Sequence, residues 1–411
     1  MPVWLPLALI HKKRKQTFLK RMGWQPIQLD KKQSPIWIHA LSVGEVLSAI
    51  PLVKAIHEQW PYEIIVFSAS TLTGYQIAQQ VRSCVADIIY YPYDIFFSVR
   101  RMINQIHPRL FILVESDIWP NFLTHLHQKK IPSVLVNARL SPESYRGYRL
   151  LQYFMGPSLQ TFSHICVQSD MQAKRFQSFG IQSHHITITG NVKYDQNQNQ
   201  LTSNEKIKIL SDLGLSEKDV IIIAGSTHEG EELILSKVFS QLKTKMPDLK
   251  MIVAPRDPNR AKELQAIFHS YSLSTTPYSQ KQLNDKDVLI VDQMGVLGKL
   301  YGISTIAFVG GSMVPEGGHN PLEPAAMSKP IIFGSDMHDF PEISQQLLDI
   351  GAAFQINNPA ELQDTFQHLL NDSMAASECG QSAKAFVRKN QGAVQKTLKI
   401  IANELSVTKT D

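Results

Sequence analysis

Several segments of this chain place ionisable side chains where a run of apolar residues ends. IWIHALSVGE, residues 36–45, reads as a strand, a turn and a helix start that closes on Glu45. A carboxylate delivered there, beside a cleft, can act as a general base on a hydroxyl. Ser42 and Glu45 also have capping-box spacing, in which the serine bonds the third helical amide and the glutamate reaches back. The two roles compete, because a carboxylate bonded to amides at a helix N-terminus has a depressed pKa and is a poorer base. LFILVESDIWPN, residues 110–121, brings Glu115 and Asp117 to the end of a second buried strand. Acidic residues there rarely serve the core, although surface carboxylates at strand ends are common. Asn137, Arg139 and Ser141 in NARLSPESY occupy the matching edge of the next strand. Lys193 in TGNVKYD lies near the expected cleft mouth; taken alone it is an ordinary exposed lysine.

The second half holds groups suited to an anion. VIIIAGSTHE, residues 220–229, is a strand, a glycine turn and a helix start in which Ser226 and Glu229 again have capping-box spacing. Amides at such a helix start can bind phosphate, although GSTHE has neither the GxGxxG nor the GxxxxGK[ST] pattern. MIVAPRD ends a strand with Pro255 and Arg256, and an arginine offers a planar fork to phosphate or a base edge; the alternative is a surface salt bridge. FVGGSMVPEGGHNPLEPAA, residues 308–326, leads from a strand into a glycine-rich loop, then a helix with Asn320 as cap, Pro321 first and Glu323 third. Glycines allow close backbone approach and the helix dipole favours a negative ligand. DQMGVLGK, residues 292–299, is a weaker glycine turn at another strand end.

Elements of a recognisable kind must position these residues. Near-continuous apolar runs occur at 36–41, 63–68, 109–114, 133–137 and 164–168, then at 220–225, 250–254, 288–291, 305–310 and 330–333, with helix-length amphipathic stretches between them. Such runs suit strands buried on both faces of a parallel sheet. Alternation with helices predicts α/β architecture in two doubly wound units. DQNQNQLTSN, residues 195–204, is polar and reads as the linker between a domain at 33–194 and another at 205–411. The last helix, about 383–405, can pack on either domain. Ligands are expected outside the carboxyl ends of the strands, in the cleft between the domains.

Composition excludes other classes. The 411 residues are 43% hydrophobic and 19% charged, within the globular range. Cys84, Cys166 and Cys379 lie far apart without metal-ligand spacing, so neither a disulfide framework nor a zinc site is expected. Of the net charge of +5, residues 1–32 carry +7, which leaves −2 for the other 379. A body that grips nucleic acid is therefore not expected, whereas a basic N-terminus drawn to anionic lipid or phosphate is. The apolar run VWLPLALI, residues 3–10, is too short to span a bilayer, which takes about 20 residues, but suits the interface.

In order along the chain, IWIHALSVGE, VESDIWPN, NARLSPESY, TGNVKYD, AGSTHEGEE, APRD, DQMGVLG and GGHNPLEPAA resemble the 3-deoxy-D-manno-octulosonic acid (Kdo) transferases of lipopolysaccharide assembly. The resemblance covers about residues 35–395. It implies a GT-B glycosyltransferase with two Rossmann-like domains facing across a cleft, the first taking the lipid A precursor and the second CMP-Kdo. Carried over by position, Glu45 matches the family's general base, and Glu115 and Lys193 match residues credited with stabilising the transition state. Pro255 with Arg256, then Gly295, Val296 and Leu297, and Asn320, Pro321, Leu322 and Glu323 match CMP-binding segments. The resemblance further implies no cofactor and no metal, an anionic membrane surface as partner, no nucleic acid, and the cytoplasmic face of the bacterial inner membrane. The chain departs from the family at Asp117 (more often Glu), Asp257 (often His) and Val296 (often Glu), and its N-terminal apolar run is shorter than the usual anchor. The alternatives are a GT-B transferase that uses a UDP-sugar and a non-catalytic, membrane-docked nucleotide-binding protein.

Overall fold

The computed structural model describes residues 12–29, 33–115, 117–196, 201–281, 283 and 285–407. Of the basic and apolar N-terminal segment, residues 1–11 and 30–32 lie outside the described residues; Lys12–Arg21 is a helix. The chain separates into two compact units, Met1–Asn197 with Asn390–Asp411, and Gln198–Lys389.

The first unit is built on seven parallel strands: β1 (Ile36–Ala40), β2 (Ile65–Ala69), β3 (Asp87–Tyr90), β4 (Leu110–Val114), β5 (Ser133–Ala138), β6 (His164–Val167) and β7 (Ile186–Ile188). Their order is β3-β2-β1-β4-β5-β6-β7. The second unit repeats the plan with β8 (Ile221–Thr227), β9 (Lys250–Pro255), β10 (Thr275–Pro277), β11 (Val288–Ile290), β12 (Ile306–Val309), β13 (Ile331–Phe333) and β14 (Ala353–Gln355), in the order β10-β11-β9-β8-β12-β13-β14. Successive residues of a strand feed opposite cores. Ile36, Ile38 and Ala40 pack on one face of the first sheet and Trp37 on the other. Ile222 and Ala224 divide from Ile221 and Ile223 in the same way in the second sheet. Helices therefore cover both faces, which is why these strands read as unbroken apolar runs.

Ten strands follow the apolar runs, and β3, β7, β10 and β14 do not. All four are sheet edges of three or four residues, and each includes residues that are only partly buried. An edge strand has one neighbour and less cover, so its sequence carries less of the apolar signal.

The polar stretch 195–204 is structured at both ends. Asp195 closes a short 3-10 turn, and its carboxylate accepts the amides of Gly392 and Val394, each at 2.7 Å. That bond fixes the start of the C-terminal helix Ala393–Val407, whose Val394, Leu398, Ile401 and Leu405 join the core of the first unit. Thr202 and Glu205 form a reciprocal capping box on the helix Ser203–Asp212.

Both sheets reverse their winding at one place, between β1 and β4 in the first and between β8 and β12 in the second. The loops leaving two adjacent strands in opposite directions open a crevice there, where ligands of such sheets bind. In the second unit, close strand packing at this crevice demands Gly310. A Cβ there would stand 2.6 Å from the Ser226 carbonyl oxygen and 2.7 Å from Thr227 Cα. Those are backbone atoms of β8 and cannot turn aside. Gly310→Ala is expected to cost about 1–3 kcal/mol through overpacking, read as a lower urea midpoint of the purified protein. An unchanged midpoint would contradict this close approach.

Candidate active site

At the crevice of the first unit, β1 supplies Glu45 through the turn that follows it and β4 supplies Glu115 and Asp117. Ser42 caps the helix Val43–Gln59 by accepting the Glu45 amide at 3.3 Å, while Glu45 Oε2 accepts the Leu41 amide at 2.7 Å. The cap thus forms, yet the carboxyl is not acidified. Burial first, and the charge of Glu115 second, push its pKa up to about 8, against the lowering effect of the Leu41 amide. The competition between cap and base expected from the motif is resolved by surroundings: the lowering effect of the Leu41 and Ser42 amides is outweighed by desolvation and a second carboxylate.

Glu115 is held in an unusual conformation. Its φ is +66°, in the left-handed region that a non-glycine residue rarely occupies, and its amide bonds the Val136 carbonyl at 2.8 Å. Asn137, at the end of β5, has φ +55° and sits where the β5–β6 register slips. Such strain persists only where neighbouring bonds enforce it and is concentrated at functional sites. Here the bonds are evident. Ser48 Oγ lies 3.2 Å and Asn137 Nδ2 3.4 Å from Glu115 Oε1. The other end of the fully buried Asn137 side chain accepts the Val192 amide at 3.1 Å. Val192 begins the 3-10 turn that carries Lys193, and Asn191 caps that turn by accepting the Lys193 amide at 3.0 Å. Glu45, Glu115 and the Lys193 turn therefore belong to one connected corner of the first unit.

His39, within the first motif, was not singled out by its sequence context. It is fully buried, stacks on Tyr91 at 3.6 Å, and bonds Ser68 through Nδ1 at 3.0 Å. Its Nε2 lies 3.4 Å from Asp117 Oδ2, which also accepts Trp119 Nε1–H at 2.6 Å. Burial lowers the His39 pKa against the pull of Asp117. Asp117 is thus steered from below, and its charge adds to the upward push on Glu45. Ser141 has an ordinary structural role, as N-cap of the helix Pro142–Leu150, where its hydroxyl oxygen accepts the Ser144 amide at 3.0 Å.

In the second unit, three sequence expectations are corrected. Ser226 and Glu229 form no capping box. Ser226 has φ +56° within a register slip between β8 and β9, and the helix starts later, at Glu231, after Gly230 with no side-chain cap. Nor are the first amides of the glycine-rich loop open to a phosphate. The buried Glu231 carboxylate takes them, accepting Gly311 at 2.8 Å and Ser312 and Met313 at 3.0 Å, together with the His228 amide at 2.9 Å. An internal anion occupies the nest. The following helix also begins one residue late, at Leu322–Ala326, with Asn320 Oδ1 accepting the Leu322 amide at 3.1 Å. At five residues it adds little dipole.

The remaining residues sit at the carboxyl ends of β9, β11 and β12. Pro255 ends β9, and the exposed Arg256 follows, its amide bonded to the Thr227 carbonyl at 2.9 Å. The Arg256 charge reaches both His319 and Glu323. Gly295 turns with φ +84°, and Val296 and Leu297 pack partly on the core beneath as the short helix Leu297–Leu300 begins. A Cβ on Gly298 would stand 3.9 Å from Glu323 Oε2, so the 295–298 and 320–323 segments are neighbours. Asp257, one of the chain's departures from the family pattern, accepts the Asn259 amide at 3.0 Å and starts a 3-10 turn.

Comparison with known proteins identifies the family. A family model described as 3-deoxy-D-manno-octulosonic-acid transferase matches residues 16–196. The 3-deoxy-D-manno-octulosonic acid transferase of Haemophilus influenzae is 36% identical over 372 residues, covering 89% of this chain and 86% of the relative. The chain belongs to the Kdo transferase family. The Rickettsia felis transferase of the same name is 32% identical over 92% of this chain and 81% of its own length. Among solved structures, the UDP-GlcNAc 2-epimerase of Neisseria meningitidis superposes with a TM-score of 0.60 at 12% identity, over 90% of this chain and 99% of that one. That likeness speaks to fold alone, two Rossmann-like domains of the GT-B kind. The chain is thus a glycosyltransferase. No helix among the described residues is long and apolar enough to cross a membrane.

Proposed function

We propose that this enzyme transfers Kdo from CMP-Kdo to a lipid A precursor, lipid IVA, with inversion, and that Glu45 is the general base. The observation that carries the proposal is the Glu45 carboxyl at the β1/β4 crevice, its pKa pushed up to about 8. A base of that strength is matched to removing a hydroxyl proton as the oxygen becomes a nucleophile. In the proposed step an acceptor hydroxyl attacks the anomeric carbon of Kdo, the bond from that carbon to the phosphate oxygen breaks, and CMP departs with the electron pair. The hydroxyl proton passes to Glu45. The sugar is oxocarbenium-like at the midpoint, and negative charge grows on the departing phosphate. Arg256 and Lys193 are the cations assigned to that charge. Glu115, whose family position is credited with transition-state stabilisation, also keeps the Glu45 proton affinity high.

For a lipid acceptor, the support is exposed apolar surface on the first unit. Leu150 and Tyr153 are 86% and 94% exposed, with Leu151 and Phe154 beside them, and Phe96 and Phe97 are open on the helix Phe96–Ile106. Side chains of this size left in water favour acyl chains or an interface. Arg146 and Arg149 on the helix Pro142–Leu150 suit anionic headgroups, as does the basic N-terminal sequence. On this reading the enzyme is peripheral at the cytoplasmic face of the inner membrane.

The test is to incubate the purified protein with CMP-Kdo and a tetraacylated lipid A precursor and to weigh the product. The expected result is acceptor heavier by one or more Kdo residues, no transfer from UDP-sugars, and no loss of transfer in EDTA. An acceptor of unchanged mass, or transfer from a UDP-sugar in preference, would contradict the donor assignment. Loss of activity on chelation would contradict the metal-free step.

A further inference from the structure

The loops leaving β8 and β12, the two strands at the second unit's switch point, each carry a histidine, and the two side chains are bonded to one another. His228 Nε2 lies 2.8 Å from His319 Nε2, and the rings are nearly parallel, 13° apart with centroids 5.1 Å apart. Both lie in segments whose sequence suits an anion, neither is among the residues carried over to the CMP-binding segments, and much of the local architecture serves their contact. The Glu231 carboxylate bonds the His228 amide and the Gly311–Met313 amides at once, so a single buried side chain ties one loop to the other. Gly311, with φ +68°, leaves room for both rings: a Cβ there would stand 3.1 Å from His319 Cδ2 and 3.4 Å from His228 Cδ2. Both histidines are only partly buried, so the pair is open to a ligand in the crevice.

The protonation chemistry of such a pair is restricted. Two Nε2 atoms at this distance share one proton, one ring donating and the other accepting. The charged groups facing them are Glu316, whose Oε2 lies 3.8 Å from His228 Nδ1, Arg256 from the end of β9, and Glu231 from the helix Glu231–Lys245. Glu316 favours the His228 tautomer with its proton on Nδ1, which leaves His228 Nε2 to accept from His319. Burial first, then Arg256 and His228, lower His319 to about 4, so it is neutral in the free protein near pH 7. An anion beside His319 and Arg256 reverses that balance, since it offsets the arginine charge and rewards an imidazolium.

We propose that His228 and His319 form a proton-accepting element of the donor site, which binds the phosphodiester of a nucleotide sugar together with Arg256 and takes up a proton as it does so. The added proton resides on His319 Nδ1, which donates to the ligand anion, while His319 Nε2–H donates to His228. This inference rests on the CMP-sugar reading above, and it adds two donor-binding residues and a proton to it.

The probe is cytidine 5′-(methyl phosphate), a diester whose single charge does not titrate near neutrality, added to the full-length protein in a calorimeter. Titrations in two buffers of different ionisation enthalpy, at about pH 6 and about pH 8, report the protons exchanged on binding. The expected result is net uptake of a fraction of a proton at the lower pH and less at the higher. His319→Asn and His228→Asn are each expected to bind roughly ten-fold more weakly and without uptake. Wild-type binding without uptake would overturn the inference with no recourse to a variant, as would variants that keep it. In either case the donor reading stands. Failure of the wild type to bind the probe while it binds a UDP-sugar would overturn both.

Discussion

Glu45→Gln is expected to lower the single-turnover rate of Kdo transfer by about 10²–10⁴-fold, the range for loss of a positioned general base, with CMP affinity changed by no more than a few-fold. Glutamine keeps the size of the side chain and an oxygen for the Leu41 amide, so the loss would belong to proton removal. A rate near that of the parent would eliminate Glu45 as base. The same substitution carries a stability signature of opposite sign. Because the folded-state pKa is raised from 4.5 to about 8, the folded protein holds a proton that the unfolded chain has released between those values. Stability attributable to this carboxyl is therefore present at low pH and is lost as pH rises toward 8, and the cost is then constant above it. An uncharged amide avoids that cost, so the variant is expected to be roughly 2–4 kcal/mol more stable than the parent above pH 8 and no more stable at pH 4. Urea titrations at the two pH values check the sign, and equal stability at both would contradict the buried, charge-crowded setting of Glu45.

Glu231→Ala has the largest expected effect on the second unit. The carboxylate accepts four backbone amides, two through each oxygen, and is itself fully buried. Stranding buried donors costs about 1–3 kcal/mol each, so the loss is expected to reach about 4 kcal/mol or more even with some water admitted. Glu231→Gln should fall between, since its oxygen can satisfy two amides while its NH2 faces the other two. The order parent, glutamine, alanine in urea midpoint is the expected outcome. An alanine variant as stable as the parent would show that these amides find other partners.

How far the chain disclosed its structure depended on the distance over which each feature is determined. Buried central strands such as Leu110–Val114 are legible because every residue faces a core, whereas the edges Thr275–Pro277 and Ala353–Gln355 are short and half-solvated. The Ser42–Glu45 cap is a spacing of three and was legible, and so was the presence of an acidic pair after β4. The pKa of Glu45 was not, because it depends first on burial by the folded chain and then on Glu115, seventy positions away. Ser226 and Glu229 show the reverse failure: the spacing is right, but a left-handed residue and a register slip move the helix start. Glu231 and the bond between His228 and His319 were hidden for a further reason. Their partners lie eighty to ninety residues away, and the glycine-rich loop advertised room for an anion without revealing that the protein supplies its own.

The pH dependence of kcat/KM with saturating CMP-Kdo, compared between the parent and Glu115→Gln, tests the proposed base most directly. Ionised Glu45 is the active form, so the parent is expected to lose activity as pH falls through about 8. Removal of the Glu115 charge is expected to shift that fall to lower pH, because the charge is one of the causes that hold the proton on Glu45. A parent profile flat from about pH 6 to pH 9, or an acidic limb that does not move in Glu115→Gln, would contradict the account.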